Sequence, residues 1–330
     1  MSEPRYDVIG IGNAIVDVMS PASDELIEEL QLNRGGMTLV DGERAKELYD
    51  AMGPAREISG GSAANTLAGL SALGSQCAFI GQVADDQLGE VFSHDIRAVG
   101  IDFDVPPRPG EPSTARCLIF VTPDAQRTMN TFLGACQFLP AEALDEEAVG
   151  GAKILYLEGY LWDPEEPRAA MRRAIETARA AGRQVALTLS EVFVIDRHGD
   201  DWRALIEDGM IDILFANHLE LFALTGTDNI ENGLAALAGK VPTLVVTCSA
   251  DGAIAVRNGE RAEVRAEPVE EVVDTTGAGD LFAAGFLYGH VNDEPLERCL
   301  RRGAIAAAEI ISHYGARPEV DLKALMVEKL

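Results

Sequence analysis

Short apolar runs alternate along this chain with segments of helical periodicity, and this alternation constrains the fold more than any other feature. The predicted strands are residues 6–11, 77–83, 153–157, 185–189, 211–215 and 243–247. The predicted amphipathic helices between them include residues 63–73, 166–181, 201–206 and 234–238. Strands and helices that alternate in this way form a mostly parallel sheet covered by helices on both faces. The predicted fold class is therefore α/β, with a doubly wound sheet.

Two regions interrupt this alternation. Residues 14–40 and 102–135 contain strand-like stretches separated by Pro, Gly and Asp, and residues 106–110 read Pro-Pro-Arg-Pro-Gly, which excludes regular structure there. Two β segments so far apart predict a small β-sheet lid over the mouth of the main sheet. We expect the large domain to comprise residues 1–13, 41–101 and 136–330. Runs at 253–257 and 262–266, around Asn258-Gly259, predict a hairpin within it.

The charge balance limits the possible partners. The chain has 27 Lys and Arg against 54 Asp and Glu, a formal net charge of −27. Binding to a nucleic-acid backbone depends on clustered Lys and Arg, and an anionic membrane surface attracts the same residues. Neither partner is therefore expected. Local arginines and backbone N–H groups can still bind a small anionic ligand.

Cysteine and histidine usage points to a reducing compartment. The five cysteines and five histidines are scattered, without a CxxC or HExxH spacing, which argues against a disulfide framework and against a zinc site. The N-terminal segment carries charges up to Asp7 and lacks the pattern of a secretory signal. The most apolar late segment, 304–311, is interrupted by Glu309. We expect a cytoplasmic protein without a membrane span.

The stretch Asp274-Thr275-Thr276-Gly277-Ala278-Gly279-Asp280, followed by an apolar run, carries the clearest chemistry. Gly277, Ala278 and Gly279 leave backbone N–H groups uncovered where a helix begins, which favours an anion. Such donors stabilise a phosphoryl group during transfer. Asp280, in the first turn, is predicted to stay ionised and to accept a hydroxyl proton, a contribution of about 10²–10⁴-fold. The alternative is a plain glycine turn with a capping aspartate.

A second motif lies in the N-terminal half. Gly60-Gly61 precedes a predicted helix and would let a ligand approach the backbone closely, while Asn65 offers a donor and an acceptor from the first turn. Asp17, after the first strand, could accept two adjacent hydroxyls of a ribose or another sugar. Taken singly, Asp17 could be a surface charge and the glycine pair an ordinary loop.

These two motifs, in this order and spacing, resemble the signatures of the ribokinase-like (pfkB) family and, within it, those of the adenosine kinases. The similarity also includes Gly81 and Gly89, and it extends over nearly the whole chain. The resemblance implies a doubly wound α/β domain with a β-sheet lid, and ATP-dependent phosphorylation of a hydroxyl with Mg²⁺. Related kinases often place K⁺ near the regions that correspond to Asp274 and residues 315–317. We expect a monomer or a homodimer.

The resemblance also implies roles for single residues, with Asp280 as the catalytic base and residues 277–279 as the anion hole. The residues implied to contact the substrate are Asn13, Asp17, Gly60, Gly61, Asn65 and Phe193, and those implied to contact ATP are Asn217, Thr247, Ser249, Gly252 and Arg127. Glu220 would bind magnesium through a water. Without the family context, Asn217 and Glu220 read as a helix N-cap and a solvated glutamate, and Arg127 as a solvated arginine. Residues 247–252 depart from the family pattern, which leaves the phosphate donor open.

The acceptor is predicted to be a purine nucleoside, with adenosine favoured over a free sugar such as fructose or ribose. A nucleoside needs an apolar slot for its base, and the similar segments place Phe193, Tyr160, Leu133 and Met37 there. A sugar kinase would retain Asp17, Asn65 and Asp280 without the slot.

Other classes fit less well. A dinucleotide fingerprint would need glycine at Ile15, and no GxxxxGK[ST] is present. A non-catalytic nucleoside sensor would be indicated by loss of Asp280 or of the small residues before it, and all of these are intact.

Overall fold

The computed structural model describes residues 4–124 and 126–330. The strands are β1 (Tyr6–Ile11), β2 (Ile15–Pro21), β3 (Met37–Leu39), β4 (Arg56–Gly60), β5 (Cys77–Ile80), β6 (Ile101–Asp102), β7 (Ala115–Val121), β8 (Arg127–Phe132), β9 (Ala152–Glu158), β10 (Gln184–Thr188), β11 (Ile213–Asn217), β12 (Thr243–Thr247), β13 (Ala253–Arg257) and β14 (Glu260–Val264). The helices are α1 (Asp24–Glu29), α2 (Gly42–Ala51), α3 (Ser62–Leu73), α4 (Gln87–Ala98), α5 (Glu146–Gly150), α6 (Glu165–Ala180), α7 (Val192–Glu207), α8 (His218–Thr225), α9 (Ile230–Leu237), α10 (Ala278–Val291), α11 (Leu296–Ile310) and α12 (Leu322–Lys329).

The larger sheet has nine strands in the order β14-β13-β12-β11-β10-β9-β1-β5-β6. All neighbouring pairs from β12 to β6 are parallel, and β13 and β14 add an antiparallel hairpin. The chain runs outward from β1 to β5 and β6, and then continues on the other side of β1 at β9. Ligands of doubly wound sheets bind at the carboxyl ends of the strands beside such a reversal. The predicted α/β class is confirmed.

The smaller sheet has the order β3-β8-β7-β2-β4. Asp17 of β2 pairs with Cys117 of β7, which in turn pairs with Thr131 of β8. Because side chains alternate along a strand, Asp17, Thr131 and Arg127 lie on the same face of this sheet. The side chain of Arg127 contacts Asp274 of the large domain, so this face looks toward the larger sheet.

The smaller sheet includes a strand, β4, that lies outside the predicted lid segments 14–40 and 102–135. β4 pairs with β2 in antiparallel register, and α2 packs on β7 and β8, although residues 41–101 were assigned to the large domain. Conversely, β6 pairs with β5 and extends the larger sheet through Asp102, which was assigned to the lid. Strand pairing is a non-local property, and residues 56–60 carry no local mark of their partner.

Two local predictions are refined by the structure. The predicted hairpin is confirmed, with β14 beginning directly after Asn258 and Gly259, whose φ angles of 50° and 87° suit a tight two-residue turn. The helix predicted at 201–206 is the second half of α7, which begins at Val192. No helix within the described residues is long and apolar enough to cross a membrane.

Close packing between α3 and α10 determines the geometry at their N-termini. A Cβ on Gly69 would lie 2.7 Å from the Cβ of Ala284 and 2.7 Å from a methyl carbon of Leu281, so only glycine permits this helix spacing. Side chains from the first turns of both helices are also hydrogen-bonded to each other. The two helices therefore bring their N-terminal ends together.

Candidate active site

Asp280 lies in the first turn of α10 and faces the first turn of α3. Its Oδ1 accepts a hydrogen bond from Ser62 Oγ at 2.7 Å, and its Oδ2 accepts one from Asn65 Nδ2 at 3.1 Å. Burial raises the pKa of Asp280 to about 6, against the opposing effects of Ser62, Asn65 and the Arg317 guanidinium. The shift is opposite to the effect of the helix end alone, because desolvation outweighs it. The carboxylate is still ionised about ten to one at pH 7.

The predicted anion hole forms the start of α10. Gly277 is the N-cap residue with a φ of 79°, and a Cβ there would lie 2.9 Å from the Cβ of Ala316, so both conformation and space require glycine. The Ala278 N–H donates to the Thr275 carbonyl at 3.2 Å and closes the turn. A Cβ built on Gly279 meets no atom within 4 Å. The glycine at 279 therefore borders open space in front of a helix N-terminus, where an anion is favoured.

A cavity of about 540 Å³ opens beside this helix end. Thr247, Ser249 and Gly252 line one side, and their contacts with ATP stay a prediction; Ala278 and Gly279 line the end near Asp280. Its remaining lining is largely apolar and comprises Ala250, Ala266, Glu267, Pro268, Val269, Val272, Thr275, Phe282, Ala304, Ala307, Ala308 and Ile311. This size and apolar lining suit a nucleotide base. The wall contributed by α11 and residues 266–272 was missed by the sequence analysis, because small aliphatic residues carry no local signal of a ligand.

Asn217 and Glu220 form a capping box at the start of α8. Asn217 Oδ1 accepts from the Glu220 N–H at 2.9 Å, while the two Glu220 carboxylate oxygens accept from the Asn217 N–H at 2.9 Å and its Nδ2 at 2.7 Å. Burial raises the pKa of Glu220 to about 7. The N-cap is thus observed, whereas Glu220 is 5% exposed and therefore buried, not solvated. Asn217 lies outside the described lining of the nucleotide-sized cavity.

The carboxylate oxygens near the start of α8 decide whether this region could hold magnesium. No group of three or more His, Cys, Asp or Glu side chains that could hold a metal occurs in the described part of the chain. Magnesium usually keeps several waters and reaches a protein through one or two carboxylates together with nucleotide phosphates. Each Glu220 oxygen accepts one hydrogen bond and retains a second lone pair, so Glu220 fits the predicted contact with a magnesium-bound water.

Arg127 and Asp274 form a buried ion pair between the smaller sheet and the loop before α10. Asp274 Oδ1 accepts from the Thr276 N–H at 3.0 Å and the Thr276 hydroxyl at 2.7 Å, while Oδ2 accepts from the Gly315 N–H at 3.1 Å and from Arg127 Nη1. All four acceptor positions of the carboxylate are therefore occupied. These residues do not fit a K⁺ site at Asp274, because the guanidinium already supplies its counter-charge. Arg127 is directed at this loop and lies outside the described cavity lining.

Gly60 and Gly61 leave space for two neighbouring groups, the Asp17 carboxylate and the Asn13 carbonyl. A Cβ on Gly60 would lie 2.6 Å from Asp17 Oδ2, and Gly61 has a φ of 98°, with its Cα facing the Asn13 carbonyl. Burial raises the pKa of Asp17 to about 6, while Arg127 and Arg317 oppose the shift. The pair therefore leaves room for the Asp17 carboxylate.

Asp17 and Asn65 line a second, smaller cavity of about 90 Å³. Asn65 is 5% exposed, and its Oδ1 has no hydrogen-bond partner among the described residues. A buried amide oxygen without a partner is costly and indicates a place for a donor such as a substrate hydroxyl. The structure thus brings together Asp17, Asn65 and Asp280, which lie far apart in the sequence.

Glu158, at the end of β9, was not singled out from the sequence. It is completely buried, and its carboxylate accepts from the Asn13 N–H at 2.7 Å, from Asn13 Nδ2 at 2.6 Å and from the Ala63 N–H at 2.7 Å. Burial raises the pKa of Glu158 to about 7. Glu158 therefore joins the loop after β1 to β9 and α3 at the reversal point of the sheet. The substrate contact predicted for Asn13 stays a prediction, since its amide has this structural partner.

The residues predicted for a base slot fall into two places. Phe193 and Tyr160 are half-buried neighbours with ring centroids 6.1 Å apart, on the large domain. Met37 lies on the edge strand of the smaller sheet and is 42% exposed, and Leu133 follows β8. The structure pairs the two aromatic rings, and the contact of all four residues with a base stays a prediction.

Comparison with known proteins places this geometry in a family. Residues 40–322 match the pfkB family carbohydrate kinases. The crystal structure of an adenosine kinase from Sinorhizobium meliloti is similar, with 47% identity over 98% of this chain and 99% of that chain, and a TM-score of 0.90. A probable sugar kinase from Rhizobium etli has 44% identity over 98% of both chains, with a TM-score of 0.91.

A more distant relative acts on a different class of molecule. A 5-dehydro-2-deoxygluconokinase from Shouchella clausii is 27% identical over 98% of this chain and 97% of its own length. The relatives therefore include kinases of nucleosides and of sugars. This chain has a ribokinase-like α/β architecture with a second, smaller sheet. The match to the family covers most of the chain, and the chain therefore belongs to the pfkB family of carbohydrate kinases.

Proposed function

We propose that this protein transfers the γ-phosphoryl group of ATP to a primary hydroxyl of a ribose-containing molecule, with adenosine as the favoured acceptor and AMP as the product. One observation carries the proposal. The Asp280 carboxylate lies at a helix N-terminus that borders the 540 Å³ cavity, and it is hydrogen-bonded to Asn65, which lines the 90 Å³ cavity beside Asp17. A base between a donor cavity and an acceptor cavity is the arrangement that phosphoryl transfer requires.

In this proposal each site residue has a distinct role in the reaction. Asp17 and Asn65 orient the acceptor by hydrogen bonds to its hydroxyl groups. Asp280 takes the proton of the reacting acceptor hydroxyl. The oxygen of this hydroxyl bonds to the γ-phosphorus of ATP, and the bond between the γ-phosphorus and the oxygen that bridges it to the β-phosphorus breaks. The N–H groups at the start of α10 balance the negative charge on the transferring group. Magnesium, bound with the phosphates, would supply further positive charge, and Asp280 afterwards releases its proton to water.

A nucleoside acceptor is supported by two observations. The Sinorhizobium adenosine kinase shares 47% identity over nearly the full length. Phe193 and Tyr160 provide an aromatic pair on the large domain, of the kind that packs against a base.

A free sugar is the second candidate, and the small cavity favours it. Its volume of about 90 Å³ is closer to that of one sugar ring than to that of a nucleoside. A nucleoside would require this cavity to enlarge more than a sugar would.

An ATP-consumption screen separates the candidates. The acceptors are adenosine, inosine, guanosine, ribose and fructose, each with Mg²⁺-ATP, and the Asp280→Asn variant is the background control. We expect the largest kcat/KM with adenosine. Turnover of ribose or fructose alone would support the sugar kinase instead, and equal rates for the variant and the wild type would refute the assigned base.

A further inference from the structure

Arg317, in the loop between α11 and α12, connects the C-terminal part of the chain to the substrate side of the site. Its Nη1 donates to the Ala64 carbonyl at 2.8 Å. Its Nε and Nη2 donate to the Ser59 carbonyl at 3.2 and 2.9 Å, and Nη2 also contacts Ser59 Oγ at 3.1 Å. Ser59 directly precedes the glycine pair, and Ala64 directly precedes Asn65. One side chain therefore anchors both segments that carry the proposed acceptor contacts.

Arg317 also lies beside a carboxylate of the site. Arg317 lines the 90 Å³ cavity together with Asp17 and Asn65. Burial lowers its pKa to about 10, and Asp17, Asp280 and Asp95 oppose this shift, so the group stays charged at neutral pH. No hydrogen bond or ion pair within 4 Å joins it to Asp17 or Asp280 among the described residues. It acts on them through space and takes up none of their acceptor positions. Each Asp280 oxygen accepts one hydrogen bond, from Ser62 or from Asn65, and keeps a second acceptor position for a hydroxyl group.

The electrostatic surroundings of both carboxylates are defined. Asp280 is hydrogen-bonded to Ser62 and Asn65 and interacts electrostatically with Arg317, Asp17, Tyr156, Glu158 and Tyr160. Asp17 interacts electrostatically with Arg127, Arg317, Asp274, Asp280 and Cys117. Arg317 is the cation that these two surroundings share, since Arg127 is directed at Asp274.

We infer that Arg317 is a positioning residue, which fixes the Ser59–Asn65 segment and balances the charge of Asp17 and Asp280 together, so that both face the acceptor hydroxyls as carboxylates. This inference rests on the proposed function, because it assigns Arg317 to the acceptor side of that site. The hydrogen bonds orient the segment, and the charge offsets the desolvation of two acids that lie beside one small cavity.

The test compares pH profiles of kcat/KM for the wild type, Arg317→Met and Arg317→Lys. In the wild type we expect kcat/KM to fall as Asp280 is protonated below about pH 6. Loss of the cation raises the pKa of Asp280 further, so in Arg317→Met the acidic limb moves at least about 0.5 pH unit higher. That shift alone lowers kcat/KM at pH 7 by less than about twofold, and we expect a total drop of about tenfold or more because the hydrogen bonds that orient the Ser59–Asn65 segment are lost as well. In Arg317→Lys the limb stays near the wild-type position, while KM for the acceptor rises severalfold because the planar fork is lost.

The matched control is Arg301→Met, which removes an exposed arginine that donates to the Lys329 carbonyl on the same C-terminal region. We expect its profile to match that of the wild type. A purely structural contribution of Arg317 would lower kcat/KM by one factor at every pH. An unshifted limb in Arg317→Met, or a wild-type acceptor KM in Arg317→Lys, would overturn the inference.

A readout without turnover separates this inference from the proposed function. Side-chain carboxyl ¹³C resonances of labelled aspartate are titrated in the wild type and in both Arg317 variants, with Asp17→Asn and Asp280→Asn used for assignment. We expect both resonances to titrate at higher pH in Arg317→Met than in the wild type. If the wild type phosphorylates none of the acceptors, the proposed function fails while this titration still decides the effect of Arg317. Identical titrations in Arg317→Met and the wild type would contradict it.

Discussion

Asp280 receives its two hydrogen bonds from neutral donors, the Ser62 hydroxyl and the Asn65 amide. A cation in direct contact would lower the pKa of the carboxylate and make it a weaker base. Burial without such a contact keeps the pKa near 6, where the group is largely ionised at neutral pH and yet more basic than an exposed aspartate. The more distant guanidinium of Arg317 limits this rise. The environment is therefore suited to accepting a proton from a hydroxyl.

The first prediction follows for Asp280→Asn. An amide at this position can accept from Asn65 and donate to the Ser62 hydroxyl, so the contacts between α3 and α10 are retained. We expect the free energy of unfolding at pH 7 to be retained or to rise, because the amide removes a buried charge, ATP affinity to change little, and kcat to fall by about 10²–10⁴-fold. Steady-state kinetics with urea denaturation checks both parts. Asp293→Asn, at an exposed position just beyond α10, is the control and keeps the wild-type rate.

Single residues of the site could be predicted from the sequence where they belong to short local motifs, and not where their partners are distant in the sequence. Asp280 and Asn65 stand in short motifs whose spacing carries their chemistry, and the structure brings them together. Glu158 and Arg317 had no such signal, because their partners lie at least 95 residues away and are mainly backbone groups. The only sequence signal for Glu158 was a single acidic residue at the end of an apolar run, which forms the buried strand β9.

At the scale of elements, the glycines of the two motifs serve different purposes. Gly61 and Gly277 have positive φ angles and close neighbours, so the fold itself requires them. Gly279 has no positive φ, lies in the first turn of α10 and borders open space. Glycine stabilises a helix less than alanine does, by up to about 1 kcal/mol in a helix interior. The fold alone therefore gives no reason for glycine at 279, which points to the approach of a ligand.

The second prediction separates these purposes. Gly279→Ala should leave stability unchanged or raise it by about 0.4–1 kcal/mol, while the new methyl group enters the phosphate side of the cavity and lowers kcat/KM for ATP by at least about tenfold. Gly61→Ala should instead destabilise the fold by more than the 1–2 kcal/mol or so expected for a positive φ alone. Gly182→Ala, at a φ of 69° with no neighbour within 4 Å, measures that conformational cost. Wild-type kinetics in Gly279→Ala would contradict the phosphate assignment.

The Arg127–Asp274 ion pair joins β8 to the loop before α10 and carries the third prediction. Since the guanidinium and three other donors occupy the Asp274 carboxylate, this side chain has no acceptor position left for a monovalent cation. We expect kcat/KM to agree within about twofold in K⁺, in Na⁺ and in a bulky organic ammonium salt at constant ionic strength. Strong and specific activation by K⁺ would mean that Arg127 leaves Asp274 during turnover.

For the whole molecule, periodicity predicted the larger sheet well because its strands are buried apolar runs, which differ clearly from their flanking helices. The smaller sheet was predicted only in part. Its strand β4 reads Arg-Glu-Ile-Ser-Gly, without a continuous apolar run, and its partner β2 precedes it by about 40 residues. Pairing over such a distance is set by the packing of the completed fold and has no local pattern.

Four buried or half-buried carboxyls give the molecule an unusual dependence of stability on pH. Burial raises the pKa to about 6 for Asp17 and Asp280, and to about 7 for Glu158 and Glu220. The folded state thus binds these protons more tightly than the unfolded state does, so stability rises as pH falls through these values toward about 4. His290 acts in the opposite direction, because burial lowers its pKa. Because four carboxyls act in this direction and one histidine acts against it, we expect the free energy of unfolding to rise as the pH falls below neutral.

The fourth prediction is that the free energy of unfolding increases between pH 7.5 and pH 5.5, by at least about 1 kcal/mol, since one proton contributes up to about 1.4 kcal/mol per pH unit. The net charge of −27 acts in the same direction, because protonation reduces self-repulsion. Salt separates the two causes, since it screens surface charges and has little effect on buried ones. In urea titrations the increase should therefore persist at 0.5 M salt, and Glu158→Gln or Glu220→Gln should each reduce it. A stability that falls toward pH 5.5 at high salt would show that these carboxyls are ionised at no cost in the folded protein.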